Sequence, residues 1–269
     1  LMIGEKISYY IESLRELAVS THIDSRTRRM ISRGATPVLL ELSNVSALDD
    51  RGAKALDSFS LQVHAGEIVG IAGVAGNGQK ELVEVLAGLR RVTEGKIIFM
   101  GEDITYAAPR ERLEKGIGII FEDRLTTGCI TGLSVKENLI LDLVHKHPFS
   151  RRLILDLKAI REYAQSLVKE YSIKTPSIES PAGTLSGGNI QRMILARVLS
   201  RKPKLIVASE PTAGLDIAAT AYIRSKLTEA KRRGTGVLLI STDLDELLAL
   251  SDRIAVIYKG KLMGVLHIH

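Results

Sequence analysis

From position 38 onward, short apolar runs alternate with longer segments whose apolar residues recur at the spacing of an amphipathic helix. Strands that alternate with helices in this way form a largely parallel sheet with helices packed over it. The pattern therefore predicts an α/β fold. The predicted strands are 38–42, 68–72, 96–100, 117–121, 204–208, 236–240 and 253–258.

The segment from about 125 to 184 follows a different pattern, because one long amphipathic helix dominates it and no apolar strand run lies nearby. The α/β pattern resumes after it, so we expect an inserted helical subdomain that protrudes from the sheet as a lobe. The apolar positions of the helix are Leu157, Ile160, Ala164, Leu167, Val168 and Tyr171.

The first 37 residues are predicted to lie outside this domain. Apolar residues between Ile7 and Ala18 have helical spacing with one buried stripe, and residues 19–37 are polar and basic, as in a linker. The opening residues 1–4 resemble Leu262–Gly264 near the other end of the chain. We therefore expect 1–37 to be the end of a preceding similar domain plus a helical linker, and 38–269 to be one domain.

Composition excludes several classes of protein. The chain has 269 residues, enough for a full core, and no apolar run approaches the about 18 residues that span a bilayer. The single cysteine, Cys129, permits no internal disulfide and agrees with a reducing compartment. The net charge of +6 is spread along the chain, and no aromatic residues interleave with its one basic cluster, Arg26–Arg33. We therefore predict a soluble chain without nucleic-acid partners.

A glycine-rich segment follows the predicted strand 68–72 and opens an amphipathic helix. Glycines allow successive backbone N–H groups to converge on phosphate oxygens, and the helix dipole adds positive charge at that point. The alternative is a tight turn without a ligand. The candidate phosphate-binding residues are Gly73, Gly76, Asn77, Gly78, Gln79, Lys80 and Glu81.

This segment departs from the P-loop pattern G-x-x-x-x-G-K-[ST] at two positions. Gly73 and Gly78 fit the pattern, but Gln79 stands at the lysine position and Lys80 at the hydroxyl position. Gln79 can hydrogen-bond a phosphate but carries no charge, and an ammonium group cannot coordinate Mg²⁺ as a hydroxyl oxygen does.

Three further motifs identify the kind of phosphate site. LSGGNIQR begins at Leu185 and opens a helix, EPTAGLD follows from Glu210 to Asp216, and Ser241–Asp243 ends the next strand. With these motifs in this order, the chain resembles the ATP-binding-cassette (ABC) ATPases across 38–264. The resemblance implies a P-loop NTPase core with a mostly parallel sheet, an antiparallel β-subdomain and the inserted helical subdomain.

Three finer features narrow the resemblance to one group within the family. The string from Gly66 to Lys80, the run Phe121–Arg124 and the linker ahead of Val38 look like the second cassette of tandem ABC proteins that serve simple-sugar or nucleoside importers. Such proteins form a nucleotide-sandwich dimer, in which each ATP lies between the P-loop of one cassette and the LSGG helix of the other.

The resemblance assigns roles to individual residues. Glu210 takes the place of the general base that orients the attacking water, and Asp216 lies in the dimer-contact loop. The LSGG tip offers a hydroxyl, backbone N–H groups and a helix N-terminus to ATP held by a partner. The alternative for Ser186 is an ordinary helix N-cap. The tip residues are Ser186, Gly187, Gly188 and Asn189.

Other residues depart from the family pattern. Ser209 replaces the aspartate that holds Mg²⁺, Glu122 replaces a glutamine, and Thr242 replaces a histidine that contacts the γ-phosphate. For Thr242 we favour an approximate capping box with Asp245 over a ligand contact. Residues 45–57 also contain no aromatic side chain to stack on adenine. We therefore predict a catalytically weak ATP site that lacks a dedicated metal site.

Lys80 has two alternative roles in such a site. Its ammonium group occupies the space of Mg²⁺ near Glu210 and the phosphates, or it forms an ion pair with Glu210 in an empty site. Nucleotide binding with and without Mg²⁺ separates the two.

The function predicted from these residues is that of an importer cassette that binds ATP and completes the ATP site of a first cassette. The resemblance implies permease subunits as partners, an extracytoplasmic solute-binding protein as an indirect one, and a peripheral location on the cytoplasmic face of the membrane. The helical lobe and the region 122–138 would face the permease. The alternatives are a nucleotide-regulated module without hydrolysis and a soluble cassette protein that acts on RNA or ribosomes.

Overall fold

A computed structural model describes residues 36–151 and 154–268. The predicted helix 7–18, most of the linker and the opening residues 1–4 lie outside the described residues. The strands in chain order are β1 (Val38–Leu48), β2 (Lys54–His64), β3 (Ile68–Ala72), β4 (Glu94–Phe99), β5 (Glu102–Asp103), β6 (Ile117–Ile120), β7 (Ser150–Arg151), β8 (Ile154–Leu155), β9 (Leu205–Ser209), β10 (Gly236–Ile240), β11 (Arg253–Tyr258) and β12 (Lys261–His267).

Seven helices lie among the residues that the structure describes. In chain order they are α1 (Gln79–Ala87), α2 (Pro109–Lys115), α3 (Val135–Ile140), α4 (Leu157–Glu170), α5 (Gly187–Leu199), α6 (Ile217–Arg232) and α7 (Leu244–Leu250), with a 3₁₀ turn at Ala182–Thr184. Within the described ranges, no helix is long and apolar enough to cross a membrane.

The central sheet has six strands in the order β12-β11-β3-β10-β9-β6, and every neighbouring pair is parallel except β11 and β12. All residues of β3, β9 and β10 are buried, because helices cover one face of the sheet and α1 with the antiparallel strands covers the other. The predicted α/β architecture is confirmed. The carboxyl ends of these three strands meet at one edge, where the phosphate loop, Glu210 and Thr242 follow them.

A second sheet is antiparallel, in the order β2-β1-β4-β5. Its strand β2 was absent from the strands predicted by apolar runs, because its buried residues Leu56, Phe59, Leu61 and Val63 are separated by polar ones. Phe59 packs in the same apolar cluster as residues of β3 and α1, so the two sheets share a core. This sheet places the turn between β1 and β2 beside α1, where Asp50 lies 4.0 Å from Lys80.

The predicted helical part between 125 and 184 contains α3, α4 and the 3₁₀ turn. Helix α4 buries Ile160, Ala164 and Leu167, as its spacing predicts. Leu157, predicted to be on the buried face, is 65% exposed because it occupies the first turn of the helix. A short hairpin of β7 and β8 precedes α4, although no strand was expected there. This part leads directly into the LSGG tip of α5.

Candidate functional site

The glycine-rich loop 73–78 joins β3 to α1, as the sequence predicts. Gly78 is the residue before the helix and has φ 103°, a conformation that favours glycine. A Cβ at this position would lie 2.5 Å from the carbonyl oxygen of Ala55 in β2. The loop therefore requires glycine both for its backbone conformation and for its close approach to β2.

Gln79 fixes the shape of the loop from within. Its side-chain Oε1 accepts a 3.0 Å hydrogen bond from the backbone N–H of Asn77, and its Nε2 donates a 3.0 Å bond to the carbonyl of Val74. The Asn77 side chain donates to the same carbonyl and accepts from the N–H of Lys259. The buried Gln79 amide thus uses one of the N–H groups that a phosphate cradle would offer.

Lys80 lies on the exposed side of α1. Its ammonium nitrogen is 3.7 Å from Glu84 and 4.0 Å from Asp50, and Arg90 joins both of these carboxylates at 2.6 Å. The alternative of an ion pair between Lys80 and Glu210 is wrong for the described structure, because the carboxylates that Lys80 meets are those of α1 and of the turn after β1.

A cleft of about 500 Å³ lies between α1 and the ends of β6 and β9. Lys80, Glu122 and the buried Ser209 all line it, which brings three of the predicted departures from the family pattern around one space. Arg124 and Gly214 close its far side. The lining of the cleft therefore carries both cationic and anionic side chains.

Glu210 follows β9 with φ 44°, a left-handed conformation that is rare outside glycine. Its carboxylate Oε1 accepts a 2.6 Å hydrogen bond from the backbone N–H of Thr242, which follows the neighbouring strand β10. Burial raises the pKa of the Glu210 carboxyl, the bonds from Thr242 oppose this shift, and the negative charges of Glu122 and Glu246 add to it. Glu210 is thus a half-buried carboxylate with increased proton affinity.

The predicted capping box of Thr242 and Asp245 is wrong. The N-cap of α7 is Asp243, whose carboxylate accepts from the N–H groups of Asp245 and Glu246. Asp243 is one residue nearer to the helix and is an equally good capping residue. Thr242 is therefore left to contact Glu210.

The LSGG tip is exposed at the start of α5. Ser186 is the N-cap residue by backbone geometry, yet its side chain makes no capping bond. Its hydroxyl oxygen instead accepts a 2.8 Å bond from the side chain of Asn189, whose own Oδ1 accepts from the N–H of Lys174. The alternative of an ordinary side-chain cap is therefore wrong, and the exposed hydroxyl lies beside the exposed Gly187.

Asp216 caps α6 by accepting a 2.8 Å bond from the N–H of Ala219. The next residue, Ile217, is an apolar side chain that is 90% exposed. Asp216 and Ile217 thus form an exposed corner at the end of the loop that begins at Glu210.

Arg124 is a residue to which the sequence assigned no role. It extends from the segment after β6 and donates a hydrogen bond to the carbonyl oxygen of Ala213 in the loop after Glu210. The two residues are 89 positions apart, and no local periodicity signals such a contact.

The remaining predicted site residues lie in the loop 73–78 and in the first turns of α1 and α5. Gly73 and Gly76 belong to the loop 73–78, and Glu81 lies in the first turn of α1. Gly188 lies in the first turn of α5, where a Cβ would lie 3.2 Å from that of Ala219 in α6. Over the described ranges, no group of three or more His, Cys, Asp or Glu side chains is arranged to hold a metal ion.

Known proteins resemble this chain in sequence. A family profile described as "ABC transporter" matches residues 56–213. The chain is 44% identical over 227 residues to the glucose import ATP-binding protein TsgD13 of Haloferax volcanii, which covers 84% of this chain and 41% of that protein. It is 38% identical over 263 residues to the nucleoside import ATP-binding protein NupA of Lactococcus lactis, covering 98% of this chain and 51% of that protein.

The fold is also similar to that of a solved cassette. A dimeric ATP-binding cassette in a post-hydrolysis state, bound to ADP and Pi, superimposes with a TM-score of 0.73 at 25% identity, covering 86% of this chain and 99% of that one. The chain spans about half the length of the curated relatives given above.

Proposed function

Because the chain belongs to the ABC transporter ATP-binding family, we propose that it is an ATP-binding cassette of an importer for simple sugars or nucleosides. In this role it couples the binding and hydrolysis of ATP by an assembled transporter to the movement of solute. We further propose that it is the second cassette of a tandem pair, with 38–269 as the cassette and 125–184 as its helical subdomain.

The observation that carries this proposal is the exposed Ser186–Gly187 tip, whose hydroxyl is not used to cap its own helix. A hydroxyl, free helical N–H groups and a positive helix dipole together favour a phosphate group. The dimeric relative was solved with ADP and Pi. We propose that Ser186, Gly187 and Gly188, with Asn189 orienting the hydroxyl, bind the γ-phosphate of ATP held by a companion cassette, and that Asp216 contacts that cassette.

The chain's own site is proposed to bind nucleotide in the loop 73–78 and to turn it over slowly. Gln79 uses the Asn77 N–H and the Val74 carbonyl within the loop, so it supplies no cation to the phosphates. Glu210 is the candidate general base, with Thr242 holding its carboxylate. Its left-handed backbone and its bond from Thr242 fix the carboxylate at the carboxyl ends of β9 and β10.

The groups around the cleft do not fit Mg²⁺ in the way the family requires. Lys80 has an ammonium group without a lone pair at the hydroxyl position, and the buried Ser209 is neutral at the carboxylate position. We propose that the Lys80 ammonium, which lines the same cleft, takes over part of the charge that a metal ion would supply there. The Lys80 side chain is 65% exposed and lies no closer than 3.7 Å to the carboxylates of Glu84 and Asp50, so it can exchange them for a phosphate.

A groove on the other side of β6 is the proposed contact with a permease. It has a volume of about 730 Å³ and lies between α2, the end of α5 and the segment after α3, with Phe121 and Thr127 on its wall. Apolar side chains such as Leu113 line it together with Arg201 and Asp142. Because it adjoins the segment 122–138, movement of a bound permease segment would reach the nucleotide cleft.

A nucleotide-regulated module without hydrolysis is the second candidate function, because the Gln79 contacts close the loop without a cation. In both cases the solute contacts belong to the permease and solute-binding subunits, and the cassette acts at the cytoplasmic face of the membrane.

Nucleotide-dependent association tests the proposed function. This chain and its companion cassette are mixed with ATP in an analytical ultracentrifuge, and we expect a heterodimer that the substitution Ser186→Ala weakens. The absence of ATP-dependent association, or an equal association of the Ser186→Ala variant, contradicts the proposal.

A further inference from the structure

Several hydrogen bonds close the turn that carries Arg124. The carboxylate Oδ1 of Asp123 accepts hydrogen bonds of 2.9 and 3.0 Å from the N–H groups of Leu125 and Thr126, and the Asp123 carbonyl accepts a 2.8 Å bond from Gly128. A Cβ at Gly128 would lie 2.9 Å from the Cα of Arg124, so the turn closes tightly on the arginine backbone. The direction of the Arg124 side chain is therefore fixed at its base.

The Arg124 guanidinium lies between two segments of the site. Its Nη2 donates to the Ala213 carbonyl and is 3.5 Å from the position of a Cβ on Gly214. Its Nη1 is 3.4 Å from the position of a Cβ on Gly187. Within the part of the chain that the structure describes, Arg124 forms no salt bridge with an acidic side chain. One planar group thus bonds to the loop after Glu210 and lies beside the LSGG tip.

The same loop is tied to α5 at a second point. The side chain of Gln191, one turn into the helix, donates a buried 2.8 Å bond to the carbonyl of Pro211. The Pro211 carbonyl therefore accepts a bond from α5, and the Ala213 carbonyl accepts one from Arg124. The loop that begins at Glu210 and ends at the Asp216 cap is held against the start of α5.

The positive charge of Arg124 lies beside a helix N-terminus, which is an unusual place for a cation. A cation beside a helix N-terminus is unfavourable, because the helix dipole already places partial positive charge there. Here a guanidinium adjoins the first residue of α5, and no carboxylate in the described structure forms a salt bridge with it. An anion bound at the tip would be attracted by both the helix and the guanidinium.

We propose that Arg124 is a positioning residue that holds the Ser186–Gly188 tip against the loop 211–216, so that the tip is ordered for the phosphates of a nucleotide bound by a second cassette. This inference rests on the proposed function of the tip. Through Arg124, the segment that contains Glu122 at the chain's own site is linked directly to the surface that serves the partner's site.

Hydrogen–deuterium exchange of the whole chain tests the positioning. The amides to follow are those of Asn189 and Ile190, which bond to the Ser186 carbonyl, and that of Leu215, which bonds to Thr212. In Arg124→Ala these amides are expected to exchange about tenfold faster, the loss expected for one charged hydrogen bond. The control is Arg161→Ala, which removes an exposed arginine of α4 that pairs with Glu179.

Arg124→Lys separates the two contacts. A single ammonium group can donate to Ala213 but lacks the second nitrogen that faces Gly187, so exchange at Leu215 is expected to recover while exchange at Asn189 stays fast. The proposal is overturned if exchange in Arg124→Ala is unchanged at either segment, or if it accelerates throughout the chain, which indicates general destabilisation.

The ATP-dependent association with the companion cassette is the second readout. Arg124→Ala is expected to raise the ATP concentration at half-maximal association about tenfold, and Arg161→Ala to leave it unchanged. If the wild-type chain associates normally and Arg124→Ala does so at the same ATP concentration, the role of Arg124 is refuted. If the wild-type chain does not associate, the proposed function fails, and the exchange experiment still decides whether Arg124 orders the tip.

Discussion

The backbone N–H of Thr242 donates a 2.6 Å hydrogen bond to the carboxylate of Glu210, and this contact joins the ends of the two neighbouring parallel strands β10 and β9. The Glu210 amide in turn donates to the carbonyl of Ile240 at 2.8 Å. Glu210 is therefore fixed to β10 through both its backbone and its side chain. Such a fixed, half-buried carboxylate is suited to orient a water molecule, whether ATP hydrolysis in this chain is slow or fast.

Replacing Glu210 by Gln tests the raised pKa of this carboxyl. Because the folded pKa lies above the unfolded one, ionised Glu210 costs folding free energy. The cost is absent below the unfolded pKa of about 4.3, grows as pH rises, and is complete above the folded pKa. Glu210→Gln should therefore melt at a higher temperature than wild type at pH 8, with the difference shrinking toward pH 4. A difference that grows on acidification contradicts the raised pKa.

The Ser186 hydroxyl should contribute little to stability, because it does not cap α5. Ser186→Ala is expected to change the free energy of unfolding by less than about 0.5 kcal/mol. The matched comparison is Asp156→Ala at the start of α4, where the carboxylate accepts from the N–H of Ala159 at 2.9 Å. That variant should lose about 1 kcal/mol in urea denaturation. Equal losses in the two variants would show that Ser186 is an ordinary cap.

Arg112 is expected to be essential for the fold. It is buried, and its guanidinium donates to five backbone carbonyls, two of them at the end of α1. Arg112→Leu removes all five of these bonds, and in the described structure only the Val85 and Ile104 carbonyls keep a backbone donor, from Gly88 and Ala107. The loss should cost about 3 kcal/mol or more. The control Arg110→Ala removes an exposed arginine paired with Glu114 and should cost less than about 0.5 kcal/mol. Similar denaturation midpoints for both variants would contradict this assignment.

Nucleotide binding tests the role of Lys80. If its ammonium supplies charge in place of a metal ion, removing Mg²⁺ with a chelator should change the ATP affinity of the chain by less than tenfold, or about 1.4 kcal/mol. In Lys80→Ser, which restores a hydroxyl, the affinity should become dependent on Mg²⁺. Strict magnesium dependence of the wild-type chain, measured by calorimetry, would exclude the ammonium mechanism.

The parallel core was predictable because its strands are buried on both faces and appear as continuous apolar runs. The bounds 68–72, 236–240 and 253–258 match β3, β10 and β11. Strand β2 was missed because it alternates polar and apolar residues, with only one face in the core. Periodicity finds the first kind of strand more readily than the second.

In the site, the motifs located the residues but not their hydrogen bonds. The sequence identifies Gln79 as a departure from the P-loop pattern, whereas its bonds to Asn77 and Val74 depend on the loop's conformation. Thr242 and Asp243 are both residue types that can cap a helix, so the sequence alone led to the wrong N-cap for α7. The backbone geometry identifies Asp243 as the N-cap residue. The Arg124 contact with Ala213 joins distant segments, so no local pattern predicts it.

The most direct test of the account is single-turnover hydrolysis of ATP by this chain alone and then joined to its companion cassette. We predict little hydrolysis by the chain alone. Hydrolysis by the joined pair should fall about 100-fold with Ser186→Ala, as for the loss of one donor to a developing charge. The account is contradicted if the chain alone hydrolyses ATP as fast as the pair, or if the pair is indifferent to Ser186→Ala.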